Sequence, residues 1–292
     1  MSKQKTIKQS FTLQGKGLHT GLNVTLTFHP APANFGYKVK RIDIPEQIEI
    51  DAVGENVKET NRGTVLAKHN VQVSTIEHAL AALSASEIDN CLMEVDAPEF
   101  PILDGSSISY IEAIQRVGTV EQKEDKDYFV VKKRIEYVDE TTGSSIVLLP
   151  DDRFSADVHI SFDSPILSNQ FASLDKLSDF ASNIASARTF VFVREIEQLA
   201  ALNLIKGGDL KNAIVIYDRE MSQENMDKIA HTMGQTTVDA SKLGYLNGGV
   251  RFANEPACHK LLDLIGDLAL LGKPILGKVI ATRPGHKINT EL

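Results

Sequence analysis

The sequence has no tryptophan and only two cysteines, Cys91 and Cys258, among its 292 residues. Neither cysteine belongs to a C-x-x-C motif, so two buried thiols in a reducing compartment are the simplest interpretation. No apolar run approaches the roughly 20 residues that a membrane-spanning helix needs, and no apolar segment follows the first residues as in a signal peptide. We therefore expect a cytoplasmic protein without a transmembrane segment.

Positive charge is also scarce, because 31 lysines and arginines stand against 39 aspartates and glutamates, for a net charge of −8 at pH 7. The longest basic block is residues 132–134. A protein that binds nucleic acid needs a basic face to neutralise phosphates, so nucleic acid is not expected as a partner. The content of 42% hydrophobic and 24% charged residues is that of an ordinary globular protein. An enzyme or a binding protein remains.

The order of the predicted elements indicates two α+β domains of related layout, because both halves run through strands, then helices, then further strands. Residues 119–127 separate the halves: seven of these nine side chains are charged or amide, which is typical of a linker. The predicted domains are residues 1–122 and 128–292. Within the second domain, residues 218–249 are polar, with one helical stretch near 222–231, and are predicted to form a surface excursion.

The spacing of His259, Asp263 and Asp267 places three polar side chains on one face of a predicted helix, at positions i, i+4 and i+8. An imidazole and a carboxylate one turn apart can bind one cation. A catalytic zinc usually has three protein ligands and a water, and this helix could supply two of those ligands. The alternative is an ordinary hydrogen bond between His259 and Asp263 on a solvated helix face.

Glu77 and His78 are adjacent at the start of another predicted helix. Ser74 and Glu77 have the spacing of a capping box, in which Glu77 would only cap the helix. The alternative is a metal ligand beside the carboxylate that deprotonates a metal-activated water. His286 lies in a predicted glycine-rich turn, and Asp267 could orient its ring and favour its charged form.

Several short motifs occur together in this sequence. In chain order they are Gly-Leu-His-Thr-Gly at 17–21, Ser-Thr-Ile-Glu-His at 74–78, Pro-Ile-Leu-Asp-Gly-Ser at 101–106, Ala-Arg-Thr-Phe at 187–190, His-Lys-Leu-Leu-Asp at 259–263 with Gly-Asp at 266–267, and Gly-His at 285–286. From about residue 5 to the end, the sequence resembles the UDP-3-O-acyl-N-acetylglucosamine deacetylases, the zinc amidases of lipid A biosynthesis. The resemblance implies an α+β fold of two related βααβ-type sandwich domains with the active site between them.

The resemblance also implies a reaction: zinc-dependent hydrolysis of the N-acetyl group of UDP-3-O-acyl-N-acetylglucosamine. The products are UDP-3-O-acyl-glucosamine and acetate, and the reaction is the committed step of lipid A biosynthesis. The residues that it implies are the Zn(2+) ligands His78, His259 and Asp263, the general base Glu77, the cation His286 oriented by Asp267, and the oxyanion donor Thr189. His286 would stabilise the oxyanion and protonate the leaving amine.

Substrate contacts are implied in the same way. An apolar insert at about 190–213 corresponds to the family's passage for the 3-O-acyl chain, and plain core packing is the alternative for any one of its side chains. The side chains implied for the substrate are Lys260 and Phe162 at the nucleotide, Arg283 as a cationic helper, and His19, Phe190, Ile196, Leu199 and Leu204. Some family members are fused to an acyl-carrier-protein dehydratase, and this chain could be the first half of such a fusion.

Two other interpretations have to be compared with this one. A zinc peptidase would usually carry H-E-x-x-H, which the residues after Glu77 do not supply. A non-catalytic nucleotide-sugar binding module would not need Glu77, Asp263 and His286 together. Acyl-chain length, oligomeric state and the role of residues 218–249 do not follow from the sequence.

Overall fold

The computed structural model describes residues 2–202, 204–234, 238–246 and 248–292. Parts of the predicted insert and of the predicted excursion therefore lie outside the described residues. The α+β class predicted from the sequence is confirmed. None of the helices in the described ranges combines the length and the apolar composition that crossing a bilayer requires.

The strands alternate buried and exposed side chains, as in β3, where the fully buried Leu26 and Phe28 flank the partly buried Thr27. In chain order the strands are β1 (Lys3–Ile7), β2 (Phe11–Lys16), β3 (Asn23–Pro30), β4 (Tyr37–Arg41), β5 (Glu49–Asp51), β6 (Val57–Glu59), β7 (Val65–Lys68), β8 (Val71–Val73), β9 (Cys91–Val95), β10 (Thr119–Asp125), β11 (Phe129–Val130), β12 (Ile135–Asp139), β13 (Ser144–Leu149), β14 (Phe154–Ser161), β15 (Asn169–Leu174), β16 (Phe190–Phe192), β17 (Ile214–Tyr217), β18 (Gly244–Tyr245) and β19 (Ile275–Thr282).

The α-helices lie mostly between these strands. They are α1 (Glu77–Ala85), α2 (Ile108–Val117), α3 (Phe180–Asn183), α4 (Val193–Ala201), α5 (Gln223–Thr232), α6 (Glu255–Leu268) and α7 (His286–Glu291). Short 3₁₀ turns adjoin some of them.

The two largest sheets share one five-strand topology, to which the second sheet adds β11, paired parallel with β19. The first has the strand order β2-β3-β9-β4-β5, and the second has the order β12-β13-β19-β14-β15. In each sheet the last strand along the chain, β9 or β19, lies in the centre. It runs antiparallel to β3 or β13 on one side and parallel to β4 or β14 on the other. The related layout that the sequence predicted is therefore confirmed strand by strand.

Helices α1 and α6 occupy equivalent places in the two halves, since each precedes the central strand of its sheet, and they pack against each other. Their closest approach is at Gly266, where a Cβ atom would lie 2.1 Å from the carbonyl oxygen of Glu77. The absence of a side chain at Gly266 therefore allows the two backbones to touch. This contact brings the start of α1 beside the last turn of α6, about one turn beyond Asp263.

The segment predicted to be a linker is a strand, so that prediction is wrong. Residues 119–125 form β10, which pairs antiparallel with β1 at the N-terminal end of the chain. Most side chains of β10 are exposed, so the sequence has no hydrophobic alternation there. Backbone hydrogen bonds to β1 hold the strand instead, and these leave no signal in the side-chain pattern.

Residues 218–249 are also more than a surface excursion. The strand β18 pairs with β17, which directly follows the insert, and one side of α5 is buried. Together with the insert they form a separate apolar cluster, which we call the outer core; its buried members are Val193, Ile196, Val215, Tyr217, Met226, Ile229 and Met233. The predicted helix near 222–231 is confirmed as α5, but its apolar side was overlooked.

Candidate active site

Glu77 begins helix α1 but does not cap it, so the capping-box prediction is wrong. The N-cap residue is Ile76, with no side-chain cap. The backbone of Thr75 has a φ of 59°, and the Ser74 hydroxyl donates to Pro98 at 3.4 Å. The capping geometry is lost because the chain turns sharply just before the helix. The Glu77 carboxylate instead accepts the backbone N–H of Thr64 at 3.2 Å.

One group of histidine, cysteine and acidic side chains in the described part of the chain could hold a metal ion. It consists of His78, His259 and Asp263, and we call it the metal cluster. Their ligand atoms lie within 4.8 Å of one another. Asp263 Oδ1 is 3.6 Å from His78 Nε2 and 3.4 Å from His259 Nε2. All three side chains are buried, which excludes the alternative of a solvated helix face.

The donor set fits a cation. Asp263 Oδ1 is buried and has no hydrogen-bond partner among the described residues, and leaving such an atom unpaired costs free energy. Burial lowers the pKa of His259 to about 4, so its ring is neutral near pH 7 and can act as a ligand. Burial opposes ionisation of Asp263, but nearby cationic groups, Lys260 among them, hold its pKa well below its usual value.

The ring of His259 is held by a group of residues that the sequence analysis missed. His259 Nδ1 donates to the carbonyl oxygen of Ala187 at 3.0 Å, which leaves Nε2 facing Asp263. The next residue, Arg188, donates its backbone N–H and its guanidinium to the fully buried Glu255. Glu255 lies one turn before His259 on α6, so the ion pair between Arg188 and Glu255 holds the Ala187 carbonyl close to the His259 ring. The position of Glu255, four residues before His259, was the sequence signal that could have revealed this role.

His286 lies on the other side of Asp263 and faces Asp267. Its Nδ1 is 2.8 Å from Asp267 Oδ2, and Asp267 also accepts from Thr64 Oγ1 at 2.6 Å and from Asn289 Nδ2 at 2.9 Å. Burial disfavours the charged ring, but the charge and hydrogen bond of Asp267 outweigh it and raise the pKa of His286 to about 9. The imidazolium form is therefore favoured at neutral pH.

His286 is not in a turn, as the sequence suggested, but is the first residue of the short helix α7. Gly285 precedes it in an extended conformation, so the glycine that suggested a turn leads directly into the helix. Thr64 and Asn289 were missed altogether, because each is a lone polar residue without a spacing pattern. Thr64 lies 203 positions from Asp267 in the chain.

Glu77 and His286 face each other across a short gap, with Glu77 Oε1 3.8 Å from His286 Nε2. Burial raises the pKa of Glu77 above its usual value, while His286 and His78 oppose that shift. His286 Nε2 also lies 3.9 Å from Asp263 Oδ2. A carboxylate and an imidazolium thus lie close together beside the metal cluster, where they can act as a paired base and acid.

A cavity opens beside the metal cluster. It encloses about 680 Å³ of empty space, including its open mouth. Thr189, Phe190 and His19 line it, and the ring centroid of Phe190 is 6.5 Å from that of His259. The predicted residues Thr189, His19 and Phe190 are therefore brought together near the metal cluster.

Only some of the residues predicted to form the acyl passage line the cavity. Ile196 and Leu199 of α4 line the cavity, but Leu204 does not, and Ile205 lines it instead. The helix ends at Ala201, Leu204 donates back to Leu199, and Ile205 has a φ of 56°. The chain therefore turns, and the side-chain register of a continued helix is lost.

The residues predicted at the nucleotide are more dispersed. Lys260 pairs with Asp263 Oδ2 at 2.9 Å and lies 5.5 Å from the Phe190 ring centroid. Phe162 packs edge-on against Phe190, with ring centroids 5.6 Å apart. Arg283 is exposed, and among the described residues its hydrogen bonds run through its backbone to strand residues and not to the metal cluster.

Known proteins are similar to this chain over its whole length. A family model described as UDP-3-O-acyl N-acetylglycosamine deacetylase, LpxC, matches residues 4–231 and 224–292. The chain is 60% identical over 292 residues to a protein of Bacteroides thetaiotaomicron named bifunctional enzyme LpxC/FabZ, covering 100% of this chain and 63% of that one. A protein of the same name from Porphyromonas gingivalis is 58% identical, again over 100% of this chain and 63% of the relative.

The chain thus spans a little under two thirds of the length of these bifunctional relatives. A shorter relative from Myxococcus xanthus, named UDP-3-O-acyl-N-acetylglucosamine deacetylase, is 38% identical over 290 residues, which cover 99% of this chain and 84% of the relative. The matches extend over both halves and over the metal cluster. The chain belongs to the UDP-3-O-acyl N-acetylglycosamine deacetylase family.

Proposed function

We propose that this protein is a zinc-dependent deacetylase that removes the N-acetyl group of UDP-3-O-acyl-N-acetylglucosamine, in the lipid A pathway of the cytoplasm. The observation that carries the proposal is the buried His78, His259 and Asp263 cluster with Glu77 and His286 beside it. A binding module would have no use for a buried base and acid next to a metal site.

Zinc suits the donor set, because two imidazole nitrogens and one carboxylate oxygen leave a fourth position open. When bound, zinc would polarise the acetyl carbonyl and acidify a water molecule. Glu77 would take a proton from the attacking water as its oxygen bonds to the acetyl carbon. The Thr189 hydroxyl and the charged His286 would stabilise the negative oxygen that forms.

The reaction ends when the bond between the acetyl carbon and the nitrogen breaks. We assign His286 as the group that gives its proton to the leaving nitrogen, since Asp267 favours its charged form. Asp267 is a positioning residue, because it acts through the His286 ring. The products are the free amine of UDP-3-O-acyl-glucosamine and acetic acid, which loses its proton to solvent as acetate. The proton that Glu77 took from water replaces the one that His286 gave up, so both groups return to their starting states.

The remaining assignments follow the same proposal. We place the nucleotide near Lys260, Phe162 and Arg283, and the acyl chain in the cavity beside Phe190. The domain division at 1–122 and 128–292 puts the base Glu77 and the ligand His78 in the first domain, and the ligands His259 and Asp263 in the second. The relatives named LpxC/FabZ suggest a dehydratase partner, fused or separate, for the deacetylase.

The direct test is the release of acetate from UDP-3-O-acyl-N-acetylglucosamine by the purified chain. We expect turnover that is lost on chelation and restored by zinc. An enzyme that retains zinc but releases no acetate from any such compound would overturn the proposed reaction.

Removing either of two ligands should remove the metal. His78→Ala and Asp263→Ala are expected to lower the bound zinc per chain sharply, because a catalytic site with two protein ligands no longer holds the ion firmly. Zinc content of the purified variants is the measurement. His159→Ala is the matched control, since His159 contacts Asn169 on the second sheet and not the cluster; full zinc occupancy in both ligand variants would contradict the assignment.

The plot of kcat/KM against pH should fall on both sides of a maximum, with an acidic limb and an alkaline limb. Glu77 must be ionised, so activity falls at acid pH, and His286 must be charged, so activity falls as the pH rises through its pKa of about 9. Asp267→Asn removes the charge that raises this pKa, and the alkaline limb should move to lower pH. Thr64→Val removes a hydrogen bond to Asp267 without removing that charge. The alkaline limb of this variant should therefore lie closer to that of the wild type.

The quantity to measure is kcat/KM as a function of pH for the three proteins. If Asp267→Asn lowers activity at every pH and leaves the alkaline limb in place, Asp267 only positions the ring and does not set its charge.

A further inference from the structure

Helix α5 belongs to the polar excursion, yet one of its sides is buried. Met226, Ile229 and Met233 follow the i, i+3, i+7 spacing of a helix face, and each is at most 7% exposed. The opposite side carries the exposed Glu224 and Lys228, which pair at 2.9 Å. The helix is therefore amphipathic, and its apolar side faces the outer core.

The outer core forms one side of the cavity. Ile196, Val215 and Met233 belong to the outer core and also line the cavity. Thr189 and Phe190 also line the cavity, and the ring of Phe190 lies beside that of His259 in the metal cluster. The cavity therefore extends from the metal cluster to the C-terminal end of α5.

We propose that α5, through Met233, forms the wall that limits the length of the acyl chain accepted by this protein. The inference rests on the proposed function, because it takes the 3-O-acyl group as the occupant of the cavity. An acyl chain gains free energy for each methylene that it buries. The gain ends where the chain meets packed side chains, since overpacking is unfavourable.

Met233 is suited to this role by its position. Its backbone N–H donates to the carbonyl oxygens of Ile229 and Ala230, so the backbone is fixed by the end of the helix. Its unbranched side chain fills irregular space. A side-chain substitution at this position therefore alters the depth of the cavity more than the course of the polypeptide backbone.

The test uses UDP-3-O-acyl-N-acetylglucosamines with a series of acyl lengths. For Met233→Ala, the ratio of kcat/KM for a longer chain to that for the best wild-type chain should rise about 10-fold. For Met233→Trp the same ratio for a shorter chain should rise about 10-fold, because a mismatch of one methylene already costs about that much in an apolar pocket. Calorimetric binding of the same compounds gives a length profile that does not depend on turnover.

Met226→Ala is the matched control. It removes the same side chain from the same outer core, but Met226 is not among the residues that line the cavity. We expect this variant to be less stable and to keep the wild-type length profile. Each profile is a ratio within one variant, so a partial loss of folded protein does not change it.

Two results would overturn the inference: unchanged length profiles in both Met233 variants, or an equal shift in Met226→Ala. Failure of the proposed function would look different. In that case no acetate is released from any compound, while binding still shows whether the length profile moves with Met233.

Discussion

Replacing Glu77 with glutamine is expected to lower kcat for acetate release by about 10²–10⁴, the usual contribution of general acid–base catalysis. Glutamine has the shape of glutamate but cannot accept a proton. Its side-chain oxygen can still accept the N–H of Thr64, which the carboxylate accepts at 3.2 Å. Zinc content should therefore remain that of the wild type, and steady-state kinetics with a zinc assay measures both effects.

The control is Glu94→Gln, which changes a partly buried glutamate of the same half that contacts His29 and lies outside the site. Its kcat should be close to that of the wild type. If Glu77→Gln retains zinc and full activity, another group must take the proton from water. His286 would be the next candidate, and the alkaline limb of the pH profile would then need a new explanation.

Replacing Gly266 with alanine should have the second large effect. The added Cβ would lie 2.1 Å from the carbonyl oxygen and 2.9 Å from the carbonyl carbon of Glu77, and backbone atoms cannot move aside cheaply. Overpacking of this kind costs about 1–3 kcal/mol of folding free energy. A displacement of about 1 Å between catalytic groups can cost about 10² in rate.

Thermal unfolding and acetate release measure these two effects, and zinc affinity should fall as well, because His78 and Asp263 lie on different helices. Gly54→Ala is the control, since the nearest atom to a Cβ there is 3.9 Å away. If Gly266→Ala has wild-type stability and activity, the helices α1 and α6 can separate without harm. The close contact would then not be what aligns the site.

The sequence could predict the metal cluster for definite reasons. His259 and Asp263 are one helical turn apart, and His78 follows a glutamate at a helix start, so local spacing and the resemblance pointed to the same residues. The buried stripe of α6 was equally visible, because Leu261, Leu262 and Ile265 recur at helical spacing and are all buried. The class of fold followed from the alternation of strands and helices.

Other parts of the site and of the fold could not be predicted, because they depend on contacts between segments that are distant in the sequence. Thr64 and Asn289 both donate to Asp267, yet neither belongs to a pattern that a window of sequence could detect. Strand β10 is held by backbone pairing with β1 and has no apolar alternation. The apolar side of α5 was detectable, but the surrounding polar residues concealed it.

The shared topology of the two large sheets has a consequence for the order of folding. In each sheet the central strand is the last one synthesised: β9 joins β3 to β4, and β19 joins β13 to β14. Until that strand arrives, two separate hairpins have unpaired edges, which are prone to wrong pairing. Closing the long loop before β19 also carries an entropic cost that slows folding. Helix α6 lies in that loop, so the approach of His259 and Asp263 to His78 depends on contacts between segments far apart in the chain.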